Sequence, residues 1–169
     1  MKKLAFSDTT SLAIAVALIA FAVMSRLAPH PANFAPIAAI ALFGGALLPR
    51  SLALTLPLAA MVVSDLFLGL HPLIMYTWGS FVLIALLSSY KLKVINTMNV
   101  LASSLGASVL FYLISNFGVW AEGRLYPQTF AGLMSSYYNA IPFFRNTLLG
   151  DLIYSGLLFG AYALVVKYA

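Results

Sequence analysis

Arg26-Leu27-Ala28-Pro29-His30-Pro31-Ala32-Asn33-Phe34-Ala35-Pro36 interrupts what would otherwise be one apolar run from Ser11 to Leu48. Pro29, Pro31 and Pro36 each fix φ and lack an N–H, so no helix continues through the segment. Ahead of it, Ser11–Leu27 is long enough for a membrane span. Behind it, Ile37–Leu48 offers about a dozen residues, or ~20 Å at 1.5 Å per residue, against a hydrocarbon core of ~30 Å. Either that helix is short, or the Pro-rich segment itself dips into the membrane. Irregular backbone at such depth survives only against protein or a water-filled cavity, so the segment reads as a binding loop rather than a plain connector.

Working outward, four further apolar segments follow: Ser51–Leu68, Leu73–Tyr90, Thr97–Ser115 and Leu148–Val166. Gly69-Leu70-His71-Pro72 closes the first of these, and Pro72 suits the first turn of the next helix. The expectation is an all-α membrane protein, a six-transmembrane-helix bundle forming one domain over residues 1–169. Between the fifth and sixth spans, Asn116–Thr147 holds Pro127 and Pro142. Phe130, Leu133, Met134, Tyr137 and Ile141 recur there at helical spacing, which predicts a short amphipathic helix in the fifth loop. No internal repeat or low-complexity tract is present.

Composition supports lipid as the solvent. The chain is 63% hydrophobic and only 8% charged, with a mean hydropathy of +1.00. About 25% charged residues is usual for a soluble domain, so there is too little charge here to cover a water-facing surface. The formal charge of +5 has no basic cluster beyond Lys2-Lys3 and Lys91-Leu92-Lys93, and points to topology rather than to nucleic acid. Without cysteine, disulfides and thiolate metal sites are excluded. Met1-Lys2-Lys3 before Leu12–Met24 resembles a signal peptide, but the hydrophobic segments that follow favour an uncleaved first span.

Six spans place both termini on one side. That side gathers Lys2, Lys3, Arg50, Lys91, Lys93 and Lys167 against Asp8, whereas the other balances Arg26, Arg124 and Arg145 with Asp65, Glu122 and Asp151. The positive-inside rule then makes both termini cytoplasmic in a multi-pass protein. It turns outward the Pro-rich loop, the Gly-Leu-His-Pro turn and the long fifth loop.

The polar residues that could carry function collect on that outward face. Asp65 lies about one turn from the end of the third span, and Asp151 about one turn into the sixth. An ionisable group in a span is costly unless it pairs or faces water, so each is a functional candidate; pairing with Arg26, Arg145 or a helix N-terminus is the structural alternative. His30 and His71 lack the spacing of a metal site, and no resident metal or cofactor is expected. Asn33-Phe34 and Ser115-Asn116-Phe117-Gly118-Val119-Trp120 join amides to aromatics, a combination that orients a polar organic ligand. Trp78, Tyr76, Trp120, Tyr126, Tyr137 and Tyr138 also fit an interfacial aromatic belt. Ala13-x3-Ala17 and Ser104-x3-Ser108 permit close helix approach. No nucleophile elbow, P-loop or His-Glu-x-x-His occurs.

Several motifs resemble an uncharacterised family of small bacterial membrane proteins, over about residues 25–160. They are Arg26-Leu-Ala-Pro-His-Pro-Ala-Asn-Phe-Ala-Pro-Ile-Ala-Ala-Ile-Ala-Leu-Phe-Gly-Gly-Ala46, Ser64-Asp65-x4-Gly69-x-His71, Asn116-Phe-Gly-Val-Trp120 and Ile141-Pro-Phe-Phe-Arg-Asn-Thr147. In size, span count and loop placement the chain also resembles the S components of energy-coupling-factor (ECF) vitamin transporters, including the solitary cobalamin-transporting type. The resemblance implies a bacterial cytoplasmic (inner) membrane protein with a ligand cavity under the outward loops. It also implies that Ala13 and Ala17 dock a membrane scaffold carrying two ATPases. The cobalt-coordinating cysteine of the cobalamin type has no counterpart here, unless His30 or His71 substitutes.

The expected function is therefore uptake of a vitamin-sized organic micronutrient by a non-enzymatic binding subunit in contact with membrane lipid. Asp65, Asn116, Asn146 and Asp151 would fix polar groups, and Phe34, Trp120 and Tyr126 would stack. Arg26 and Asn33 belong to the same outward set, with His30 and His71 in the lid. The rivals are an intramembrane enzyme using Asp65 and His71 as an acid/base pair, and a non-catalytic scaffold or small channel. A channel requires polar residues through the whole bilayer, and the cytoplasmic halves of the spans carry few beyond Ser and Thr.

Overall fold

Residues 6–168 of the computed structural model are described, and among them every regular element is an α-helix. The order is α1 (Asp8–Leu27), α2 (Ile37–Leu47), α3 (Arg50–Leu68), α4 (Ile74–Lys91), α5 (Thr97–Ala121) and α6 (Phe130–Tyr168). Lys2 and Lys3, used above to orient the chain, lie outside the described residues. The boundaries follow local chemistry. Ser7 caps α1 by accepting from the Thr10 N–H at 3.2 Å, and Asn96 caps α5 by accepting from the Asn99 N–H at 2.8 Å. Pro36 and Pro49 stand at the N-caps of α2 and α3, where a missing N–H breaks no helical bond. Pro72 precedes α4 by two residues rather than sitting in its first turn.

The burial pattern departs from that of a water-soluble protein: an apolar core holds several buried polar residues, and the exterior is also apolar. Ser11, Ser64, Asp65, Ser80, Ser88, Ser104, Ser108, Asp151 and Ser155 are buried, while Leu12, Val16, Met24, Leu101, Leu105, Val109, Ile153 and Leu157 are exposed. Apolar side chains on the outside and polar ones inside, most of them hydrogen-bonded, suit a lipid surround. Helices α1, α3, α5 and α6 are long and apolar enough to cross a membrane, which makes this a membrane-type protein. The other two differ from the expectation of six like spans. α2 has 11 residues, ~17 Å at the helical rise, and sits wholly enclosed from Ile37 to Ala46.

Small residues let α4 close on α2. A Cβ on Gly45 would collide with the Ala85 carbonyl and with Ser88. In the room this glycine leaves, the Ser88 hydroxyl donates to the Leu42 carbonyl at 2.6 Å. At the same end of the bundle Phe43, Phe159 and Tyr162 pack edge-on, with centroids 5.4 and 6.2 Å apart.

The fifth loop is where sequence and structure differ most. Helix α5 continues to Ala121 and carries Asn116 and Trp120 on its last turns, so these two are helical rather than looped. The amphipathic stretch from Phe130 is not a separate short helix. It runs without interruption through Pro142 into the sixth span, giving 39 residues. Contacts to α5 flank the proline. Before it the Tyr112 hydroxyl donates to the Tyr137 carbonyl at 2.6 Å and the Tyr137 hydroxyl to the Leu113 carbonyl at 3.0 Å. After it the Phe144 ring lies 4.7 Å from that of Tyr112. Pro142 is exposed, so the carbonyl its missing N–H leaves unpaired lies on the outer side of the helix. In consequence Asp151 lies well inside α6, far from the N-terminus of that helix.

Candidate functional site

The Pro-rich segment folds back over the end of the bundle. Asn33 takes φ 63°, a left-handed conformation that Asn tolerates better than most residues. The turn closes with the Phe34 N–H donating to the Pro31 carbonyl at 3.0 Å. From α6, the Asn146 amide donates to the Ala32 carbonyl at 3.1 Å. The Phe34 ring lies 5.6 Å from that of Tyr154 and rests on Gly150, where a Cβ would meet it at 3.4 Å. These contacts hold the loop as a cover rather than a free connector.

Beneath the cover lie two contiguous cavities of about 210 and 260 Å³ that share Asn33, Thr77, Phe111 and Thr147. Arg26, His30, Met61, His71, Phe81 and Asp151 complete the first. Tyr112, Ser115, Asn116, Val119, Phe143 and Phe144 line the second. Six of the residues expected from sequence thus converge here from α1, the Pro-rich loop, the α3–α4 turn, α5 and α6: Arg26, His30, Asn33, His71, Asn116 and Asp151.

Asp65 stands behind the wall, 1% exposed, and its oxygens are occupied by protein. Arg26 Nη2 approaches Oδ1 at 2.7 Å as an ion pair without an aligned hydrogen bond. Trp78 Nε1 donates to Oδ2 at 2.8 Å. Arg26 Nη1 reaches the Ser64 hydroxyl at 2.6 Å and the Met61 sulfur at 2.9 Å. His71 Nε2 is 3.8 Å from Oδ2, beyond hydrogen-bond range. This cluster ties α1 to the α3–α4 hairpin and fixes the guanidinium at the cavity wall.

Asp151 is set differently. It is 2% exposed and lines the first cavity. Ser108 donates to its Oδ2 at 2.6 Å. That hydroxyl has one proton and also faces the Ser104 carbonyl at 3.1 Å, so the shorter, charge-assisted contact takes it. Ser155 continues the seam, with its hydroxyl 3.4 Å from that of Ser104. Among the described residues, no Lys, Arg or His forms an ion pair with Asp151.

Four expected site residues frame the cavities without lining them. Phe34 and Asn146 anchor the cover. Trp120 donates from Nε1 toward the Pro127 and Thr129 carbonyls, both at 3.1 Å, and so holds the α5–α6 connection. The Tyr126 hydroxyl accepts from Asn139 at 3.2 Å in the same region. Ala13 and Ala17 lie on the exposed side of α1. Glu122 and Arg124 meet at 3.9 Å on the surface. Among the described residues, no three His, Cys, Asp or Glu side chains come together as a metal donor set.

Sequence reading missed Thr77, Phe81, Phe111 and Thr147, which carry no signal apart from their place in the fold. It placed Trp78 in an aromatic belt and Ser104-x3-Ser108 at a bare helix contact. A usable signal for Trp78 existed: a tight turn between two antiparallel helices brings residues about one turn from each end face to face, as with Asp65 and Trp78.

No curated protein and no solved structure matches this sequence. A family model does match, over residues 6–169, under the description "Family of unknown function". Because that match covers nearly the whole chain, the chain belongs to DUF6580, a family of unknown function.

Proposed function

We propose that this protein is a membrane-embedded binding subunit that captures a vitamin-sized organic micronutrient at the extracytoplasmic face, in the manner of an ECF S component. The observation that carries the reading is the convergence of Arg26, His30, Asn33, His71, Asn116 and Asp151 on two joined cavities beneath a tethered loop. Amides, imidazoles and one carboxylate set among Phe81, Phe111, Phe143 and Phe144 match what a small polar-and-aromatic ligand requires. The Pro-rich loop is the natural lid, because its hold on α6 is one amide bond and one ring contact. Ala13 and Ala17, exposed on α1, remain open for a scaffold subunit with its ATPases. Both termini would then be cytoplasmic in a bacterial inner membrane.

The enzyme reading has less support. Arg26 and Trp78 occupy the oxygens of Asp65, and His71 stands too far away to exchange a proton with it directly. A channel is disfavoured by the enclosed α2 and by the aromatic cluster of Phe43, Phe159 and Tyr162 at the opposite end. Native mass spectrometry of gently purified protein tests the proposal. A stoichiometric small molecule that is lost from an Asn33→Ala, Asn116→Ala double variant is the expected result. Empty protein that also binds nothing from a vitamin panel would overturn it.

A further inference from the structure

We infer that the ligand carries a positive charge and that Asp151 is the group that meets it. This rests on the binding role proposed above and adds a chemical class to it. The argument is a charge balance around the first cavity. Arg26 contributes a positive charge that Asp65 cancels at 2.7 Å, and the imidazoles of His30 and His71 line the same cavity without forming an ion pair with Asp151. Asp151 is left with one hydroxyl donor and no cationic partner among the described residues. A carboxylate removed from water demands a counter-charge or a proton, because a single hydrogen bond does not replace its hydration. Its position on the cavity wall makes an incoming cation the available partner.

The surroundings favour an organic cation over an inorganic ion. Phe81 and Phe111, stacked with centroids 4.9 Å apart, line the same cavity as Asp151, so its wall combines aromatic surface with a carboxylate. Such faces attract an ammonium or a protonated heterocycle. A hard metal ion calls for about six or more oxygen ligands. Here the side chains of the wall offer the Asp151 carboxylate, the Asn33 amide oxygen and the hydroxyls of Thr77 and Thr147, which is fewer than that.

The test compares benzylamine, protonated at pH 7, with benzyl alcohol and benzoate as neutral and anionic matches, and with NaCl against KCl. Thermal unfolding of the full chain in detergent is the readout, for wild type and Asp151→Asn. The variant keeps the shape and an acceptor for Ser108, so it is expected to fold. Benzylamine should raise the wild-type Tm by about 2 °C or more and leave the variant unmoved, while the other two organic probes do nothing. An equal shift in both proteins, a larger shift with benzoate or benzyl alcohol, no shift at all, or a response to sodium alone would each overturn the inference. The charge of a co-purifying molecule separates the two claims. A neutral or anionic ligand would sink the cationic assignment and leave the binding role standing, whereas loss of both ligand and probe response would remove both.

Discussion

Asp65 and Asp151 are two nearly inaccessible carboxylates at the same end of one bundle, and their surroundings differ in kind. The α1–α3–α4 region gives Asp65 a guanidinium at 2.7 Å and an indole N–H at 2.8 Å. The α5–α6 region gives Asp151 one serine hydroxyl and an opening into a cavity. The first arrangement has its counter-charge within the chain and does structural work, fastening α1 to the α3–α4 hairpin. The second has no counter-charge among the described residues, and the cationic ligand inferred above would supply it. Buried charge alone therefore does not mark a functional site; what its neighbours leave unmet does.

Arg26→Ala attacks the completed side and carries the largest expected effect. It strands Asp65 as an unpaired buried charge, a change that typically costs about 3–5 kcal/mol. Thermal unfolding in detergent should show a large fall, partly restored by adding Asp65→Asn. A single variant as stable as wild type would mean that the pair does not hold the helices together.

Trp78→Phe removes one donor to the same carboxylate and keeps the ring. A lost bond to a buried charged group predicts about 1.5–3 kcal/mol of destabilisation by the same assay. If the loss were negligible, the indole N–H would be dispensable and Trp78 would revert to a membrane-interface aromatic.

Asp151→Asn should behave in the opposite sense. With no internal ion pair to lose, unliganded stability should stay within about 1 kcal/mol of wild type or rise, because the amide is cheaper to bury. Ligand retention in native mass spectrometry should disappear. A fall in unliganded stability as large as that of Arg26→Ala would erase the contrast between the two regions.

His71→Ala sharpens the comparison from its weak edge. At 3.8 Å and 36% exposed, the imidazole should add less than about 1 kcal/mol to stability. Its removal should instead weaken ligand retention, since His71 lines the first cavity. Unchanged retention would place His71 outside the binding site.

The sequence made much of this legible. Prolines at 29, 31 and 36 marked the loop, and the following apolar run was too short for a full span, though that α2 is enclosed showed only in the fold. The rarity of polar residues in so apolar a chain made Arg26, Asp65 and Asp151 stand out individually. The fifth loop was misjudged because Pro142 reads locally as a helix breaker. The contacts of Tyr112 with Tyr137 before the proline and with Phe144 after it join residues 25 or more positions apart.

By itself, then, the sequence determined the solvent, the class of secondary structure and the face on which polar residues gather, because composition and periodicity act locally and additively. Tertiary structure alone decided which carboxylate found a cation. Asp65 and Arg26 are separated by 39 positions, Asp151 and Ser108 by 43, and no local pattern distinguishes the two pairs. Pairing in a low-dielectric interior depends on a few ångströms of separation, and that distance is fixed only when the helices pack.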